Sequence, residues 1–340
     1  MSLHFNKLSL LCVVAAATVS AGCLNKQERS SAFRVALLTP GPISDAGWNA
    51  GAYEGLLRIR DSLGAEVSQV ETRSPAEFEE AFRDYASKGY NLVIGHGYEF
   101  QDPAIRVGAD FPNTVFIISS GAKVRANVAP MVVRLEEGTY LAGMLAGGLT
   151  HSGRIGFVGG MKLPPVEGTY LGFVGGARAV RPGIEVLQAY IGNFEDVAAA
   201  KENALAQIRR GADVLIHNAD AASFGMFQAV RESPGVLALG DNKDQNAVAP
   251  DVIVASATLD MPHALLLVAR DVHEHRFHSR VINFGIRDGV VDFAYNGALV
   301  ARVPASLRSR IAAARDSIIA GTLAVPHVDF VVDSLPASRP

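Results

Sequence analysis

The stretch Arg34-Val-Ala-Leu-Leu-Thr39, followed by Pro40-Gly41-Pro42, indicates how this chain folds. A short apolar run that ends at turn residues is typical of a buried strand. Ser44 and Asp45 then offer caps for a helix that begins near Trp48 and repeats apolar residues at helical spacing. The N-terminal region therefore predicts a strand followed by a helix.

The same alternation continues along the chain. Further strands are predicted at 65–71, 91–95, 114–119, 153–158, 184–190, 213–217, 236–240 and 252–257, most of them separated by helical patterns. Alternating strands and helices favour parallel sheets with helices on both faces, and two such sets predict two doubly wound α/β lobes. Asp288-Gly289, between two apolar runs, suggests a tight hairpin.

Length and composition narrow the possible classes of protein. The 340 residues suggest roughly two domains at about 150 residues each. The chain is 49% hydrophobic and 19% charged, which excludes a disordered protein. A formal net charge of −3 without a basic block gives no reason to expect nucleic-acid binding. Cys12 and Cys23 are the two cysteines, so the chain after residue 23 has neither a disulfide nor a cysteine metal site.

The N-terminus has the pattern of an export signal. Lys7 precedes the apolar run 8–19, and Ser20-Ala21-Gly22-Cys23 closes it with small residues. We therefore expect a signal peptide over 1–22, and a polar tether over 23–32. The small residues resemble a bacterial lipobox, which implies lipidation of Cys23 and anchoring to the cell envelope; the alternative is an ordinary signal peptide with an incidental cysteine.

Candidate binding residues follow the predicted strands, because ligands of such folds bind beyond the carboxyl ends of the strands. The indole of Trp48 could stack on a flat ligand while Asp45 and Asn49 supply hydrogen bonds, or it could pack between its helix and the rest of the lobe. Tyr98 and Phe224, each in a loop after a strand, leave the same two alternatives open.

Signs of catalysis or of a metal site are weak. The sequence contains neither a P-loop nor a G-x-S-x-G segment. His273, His275 and His278 could suggest a metal site, but positions 273 and 275 of a helix point in different directions, so a solvated helix end is favoured. We therefore expect no catalytic residues, no metal and no cofactor.

Several motifs, in order, resemble one known family. The motifs are Asp45-Ala-Gly-Trp-Asn49, Tyr53-Glu-Gly55, Glu137-Gly-Thr-Tyr-Leu-Ala-Gly143, Gly153-Arg-Ile-Gly-Phe-Val-Gly-Gly-Met161, Gly211-Ala-Asp-Val214, Asp244-Gln245 and Ala249-Pro-Asp251. Over essentially the whole mature chain, the sequence is similar to the basic membrane protein family of PnrA-like lipoproteins. These are substrate-binding components of ABC importers with a type I periplasmic-binding-protein fold.

The resemblance implies two α/β lobes joined by a hinge. The N-terminal lobe would comprise 33–137 plus about 259–286, and the C-terminal lobe about 144–257 plus 287–333, with a tail at 334–340. The crossings between lobes would lie near 138–143, Thr258 and Arg287. A small polar ligand, including nucleoside-like solutes, would enter the cleft, and the closed protein would dock onto an ABC permease.

The resemblance also assigns positions in the site. Trp48 occupies the place of the aromatic residue that stacks on the base in nucleoside-binding members. Ser120 and Asn242 stand where those members have carboxylates, and Leu259 stands in place of a lysine. Asp220 is either a replacement ligand contact or a loop cap.

Two other functions remain open at this stage. One is a sensor or signalling receptor of the same fold that does not serve transport. The other is an exported hydrolase, for which Ser119, Ser120 and His217 are the only loose candidates.

Overall fold

The computed structural model describes Met1, residues 32–45 and residues 47–329. The predicted signal peptide after Met1, Cys23 and most of the tether, as well as the predicted tail, lie outside these residues. The compact unit begins at Phe33. Among the described residues, no helix is both long and apolar enough to span a membrane.

Within the described part of the chain, the strands form two six-stranded sheets. The first sheet has the order β11-β5-β4-β3-β1-β2 and the second β12-β10-β9-β8-β6-β7. In chain order the strands are β1 Arg34–Thr39, β2 Glu66–Glu71, β3 Leu92–His96, β4 Val115–Ser119, β5 Val128–Val133, β6 Arg154–Gly159, β7 Glu185–Tyr190, β8 Val214–Asn218, β9 Leu237–Gly240, β10 Ile253–Leu259, β11 Ile282–Phe284 and β12 Val291–Tyr295.

Helices connect the strands and cover both sheets. They are α1 Trp48–Leu63, α2 Pro75–Ser87, α3 Gln101–Gly108, α4 Leu135–Leu149, α5 Pro164–Val180, α6 Val197–Arg209, α7 Ser223–Arg231, α8 Met261–His273 and α9 Ala305–Ala320. All neighbouring strands within the two sheets are parallel except β12, which runs antiparallel to β10. The predicted class, α/β with doubly wound and mostly parallel sheets, is confirmed.

The hairpin expected at Asp288-Gly289 does not form, because the strands on either side belong to different sheets. β11 pairs with β5 of the first sheet, whereas β12 pairs with β10 of the second. The segment 285–290 therefore carries the chain from one sheet to the other. Gly289 has a φ of 70°, a left-handed conformation that favours glycine.

The glycines of 138–143 also differ from expectation, since they lie inside α4 rather than at a crossing. Their small size serves the contact of α4 with α5. A Cβ on Gly143 would lie 2.0 Å from the carbonyl oxygen of Phe173, and one on Gly176 would lie 1.8 Å from that of Tyr140. The two helices thus pack backbone against backbone, which fixes the position of α5.

Candidate functional site

A cavity lies where the carboxyl ends of the two sheets face each other. Its volume is about 670 Å³, open solvent at its mouth included. The first sheet and its helices contribute Pro40, Trp48, Gly97, Tyr98, Glu99, Ser120, Val133 and Leu135; the second contributes Leu163, Pro165, Val166, Thr169, Phe194, Asn218, Asp220, Asn242 and Leu259. Such a position beyond the strand ends is the usual ligand site of doubly wound folds.

The indole of Trp48 is held against a buried histidine. The rings of Trp48 and His96 stack with centroids 4.2 Å apart and planes 20° from parallel. Nε2 of His96 lies 3.0 Å from the carbonyl oxygen of Trp48, and its Nδ1 lies 3.0 Å from Oγ of Ser119. A carbonyl oxygen only accepts, so Nε2 carries the proton and Nδ1 accepts from the serine hydroxyl.

The environment of His96 keeps its ring uncharged. Burial lowers the pKa of His96 to about 3, against the smaller opposing effect of its hydrogen bond to Trp48. A neutral ring with both nitrogens hydrogen-bonded holds the indole in place, and Trp48 presents the cavity with a fixed aromatic surface.

Acidic and amide groups line the cavity as well. The Nδ2 of Asn242 donates to Oδ1 of Asp220 over 3.2 Å, and Nδ2 of Asn218 donates to Oγ1 of Thr169 over 3.2 Å. Burial, followed by the charges of nearby acids, raises the pKa of Asp220 well above its usual range. Glu99 is an exposed residue, but the cleft partly desolvates its carboxyl group, and this desolvation raises the pKa of Glu99 as well.

Several residues that line the cavity have an unusual backbone conformation. Among the described non-glycine residues, four have left-handed φ, and three of them line the cavity. These are Ser120 (58°), Asp220 (42°) and Asn242 (65°), each within two residues of the end of a strand. Left-handed backbone costs free energy in residues with a Cβ, and such strain gathers at ligand sites.

Five of the eight ligand contacts predicted from sequence line this cavity: Trp48, Tyr98, Ser120, Asp220 and Asn242. The structure places the other three outside its lining. The carboxylate of Asp45 accepts from the backbone N–H groups of Gly47, Asn49 and Ala50, so it caps the start of α1 instead.

Asn49 and Phe224 also lie outside the lining. Asn49 is 4% exposed near the start of α1. Phe224 is half-buried in α7 and packs against the apolar cluster beneath that helix.

Sequence reasoning missed other lining residues, among them Glu99, Phe194 and Asn218. Asn218 is the last residue of β8, and Glu99 lies three residues after the end of β3. Their positions at the carboxyl ends of predicted strands could have identified them. Phe194 follows β7, which is the edge strand of the second sheet. The sequence does not indicate that the loop after an edge strand reaches the cavity.

Of the three loose catalytic candidates, Ser119, Ser120 and His217, Ser120 lines the cavity and the other two do not. Ser119 and His96 hydrogen-bond each other but are fully buried, and neither lines the cavity. Nε2 of His217 donates to Oε1 of Gln245 over 2.8 Å, and this histidine also lies outside the lining. His273, His275 and His278 are exposed, and no group of metal-ligating side chains is found in the described ranges.

Comparison with known proteins matches the sequence to one family. The sequence profile of the family described as ABC transporter substrate-binding protein PnrA-like matches residues 32–326. Basic membrane protein A2 of Borrelia garinii subsp. bavariensis is 28% identical over 95% of this chain and 96% of its own length.

Solved structures agree with this match at the level of fold. An ABC transporter system solute-binding protein from Aeropyrum pernix K1 superposes with a TM-score of 0.78 at 21% identity, covering 86% of this chain and 92% of the other. A transcriptional activator of the comK gene from Bacillus halodurans gives 0.74 at 24% identity, covering 87% and 100%.

Proposed function

The chain belongs to the PnrA-like family of ABC transporter substrate-binding proteins, and from this premise we propose that it captures a small polar solute and delivers it to an ABC importer. The cavity between the two sheets is the observation that supports this proposal most, because its walls come from the strand ends of both. A ligand held between two walls can stabilise a closed arrangement relative to an open one.

We propose two lobes with bounds at the crossings between the sheets: about 33–134 plus 260–284, and about 135–259 plus 291–329. Three crossings connect the two sheets, at Arg134, at Asp260 and at 285–290. Hydrogen bonds link them: Asp260 N–H donates to the Val290 carbonyl over 2.7 Å, and Arg134 N–H donates to that of Phe284 over 2.8 Å. This group of crossings is the proposed hinge.

The proposed location is extracytoplasmic, with the mature chain beginning at a lipidated Cys23. A signal-peptide pattern and a small-residue exit before that cysteine support the anchor. A substrate-binding protein held at the envelope would meet its permease without leaving the membrane surface. Mass spectrometry of the N-terminal peptide tests this; an unmodified Cys23 in the exported protein would contradict it.

A role in sensing is the second candidate, since a structural neighbour is named as a transcriptional activator. Both roles need the same cavity but differ in the step that binding triggers. Uptake of the labelled solute by cells that lack this gene separates them. Reduced uptake supports import, whereas unchanged uptake with a lost transcriptional response to the solute supports sensing.

A thermal-shift screen against nucleosides, sugars, amino acids and amines tests solute binding itself. A ligand at 100 times its dissociation constant adds about 2.7 kcal/mol of stability, which gives a clear shift. We expect at least one class to raise the melting temperature and to be recovered unchanged. Turnover of the bound solute, or no shift with any class, would contradict the proposal.

A further inference from the structure

The charged groups of the cavity are all of one sign. Glu99 and Asp220 line it, whereas the lining residues, all in the described part of the chain, include no lysine, arginine or histidine. Two more carboxyl groups stand close to Asp220, those of Asp45 and Asp241, and they are 2% and 0% exposed. Four acids are thus close together at this cavity, two of them in its lining and two buried near Asp220.

Basic side chains adjacent in sequence to the lining residues pair with other acids. Lys243 Nζ lies 2.5 Å from Oε1 of Glu54. Lys162 Nζ lies 3.6 Å from Oε1 of Glu167, and Arg134 Nε lies 2.5 Å from Oε1 of Glu136. Each of these positive charges is thus paired with an acid outside the lining, and none of the three basic residues lines the cavity.

The carboxyl groups of these acids differ in the number of hydrogen bonds that they accept. Three backbone N–H groups solvate the carboxylate of Asp45. Neither carboxyl oxygen of Asp241 has a hydrogen-bond partner among the described residues, and Asp220 receives one bond from the amide of Asn242. Burial and the charges of Asp45, Asp241 and Glu99 raise the pKa of Asp220, as expected where like charges crowd together without a cation.

The remaining walls suit a flat body. Trp48 offers its indole, Tyr98 and Phe194 add aromatic rings, and Leu163 and Leu259 add apolar surface. Aromatic faces attract cations through their quadrupole, and they do so more strongly where water is excluded. An anion would lose its hydration and face two acids in the lining, with two more buried near Asp220, which disfavours phosphate and carboxylate ligands.

We propose that this cavity selects a small organic cation whose charge is carried by a flat nitrogen-containing group, such as an amidinium or a cationic heteroaromatic ring. The inference rests on the proposed solute-binding function. The flat group lies against Trp48, and its N–H or ring charge faces Asp220 and Glu99. Because the bound cation favours the ionised carboxylate, binding releases a proton from Asp220 wherever that group is protonated beforehand.

The first experiment compares solutes by charge. The purified protein is screened by thermal shift with cationic, neutral and anionic compounds of similar size. Matched compounds are benzamidine, benzamide and benzoate, and the cation 1-methyladenosine with its neutral isomer N6-methyladenosine. The inference predicts that the compound that binds most tightly is a cation and that each cation binds more tightly than its neutral partner.

The outcomes separate the two proposals. If a neutral or anionic compound binds most tightly, the inference fails while the solute-binding function stands. If no compound of any charge binds, both fail. A cation that binds most tightly supports both, and calorimetry in buffers of different protonation enthalpy then reports the released proton.

Variants locate the interaction in this cavity. Glu99→Gln changes an exposed side chain and so leaves folding intact, and Asp220→Asn tests the buried partner. Each is expected to weaken cation binding about tenfold or more, and binding of the neutral partner by less than about threefold. Glu80→Gln, on the exposed face of α2, is the matched control and leaves both affinities unchanged. Equal losses for the cation and its neutral partner would overturn the inference.

Discussion

Replacement of Gly176 by alanine should destabilise the protein by forcing apart α4 and α5. The added Cβ would lie 1.8 Å from the carbonyl oxygen of Tyr140, whereas ordinary contact begins at 3.4 Å. The atoms would have to separate by about 1.6 Å, and both belong to helix backbones that move only as units. Overpacking a core costs about 1–3 kcal/mol, and we expect about 3 kcal/mol because the obstructing atom is backbone rather than a flexible side chain.

The same change should affect binding, because α5 carries Val166 and Thr169 into the cavity wall. Thermal unfolding of Gly176→Ala, with and without ligand, measures both effects. We expect the midpoint to fall by roughly 5 °C or more and the stabilisation by ligand to shrink.

Gly183 supplies the control, because a Cβ there would meet nothing within 4 Å. Gly183→Ala should change stability by less than about 0.5 kcal/mol. If Gly176→Ala unfolds within about 1 °C of the unaltered protein, α4 and α5 do not pack as closely as described, and the reasoning is refuted.

Three further predictions concern the site and its surroundings. Trp48→Ala should weaken ligand binding by roughly 1–2 kcal/mol through loss of the aromatic surface, measured by calorimetry; an unchanged affinity would show that the ligand binds elsewhere. Lys243→Met removes the ion pair with Glu54, which joins the two sides of the cleft, and should raise Kd by up to about fivefold at low salt and less at high salt; a salt-independent change would contradict this origin. Burial lowers the pKa of His217 from 6.5 to about 4, so the stability contributed by its neutral form is complete above pH 6.5 and is lost as the pH falls towards 4. Between pH 6.5 and 5, the free energy of unfolding of His217→Gln should therefore fall by about 1–2 kcal/mol less than that of the unaltered protein, as measured by urea unfolding. Equal decreases in the two proteins would refute the assignment.

Local sequence patterns predicted where the strands lie better than which strands pair with each other. The run Arg34–Thr39 forms β1 as expected, because its apolar residues suit a strand covered on both faces. Asp288-Gly289 carries an equally clear turn signal, yet β11 and β12 join different sheets. Pairing depends on contacts far along the chain, which a turn dipeptide does not encode.

In the candidate site, too, some residues could be identified from the sequence and others only from the assembled fold. Trp48 was found from its place near a helix start, and Asp220 was singled out by the family resemblance. Asp45 occupies a similar place but serves the N–H groups of α1, a competing use that residue type alone does not distinguish. Phe194 reaches the cavity only through the assembled second sheet, so its role required the fold.

Trp48 is the single tryptophan of the chain and lines the cavity, so its fluorescence tests the central claim most directly. The measurement is a titration of the purified protein with the solute that gives the largest thermal shift. A solute held between the two sheets predicts a saturable change in Trp48 emission at one ligand per chain, with the same Kd as calorimetry. Tight binding that leaves the emission unchanged would contradict the claim that this cavity holds the solute.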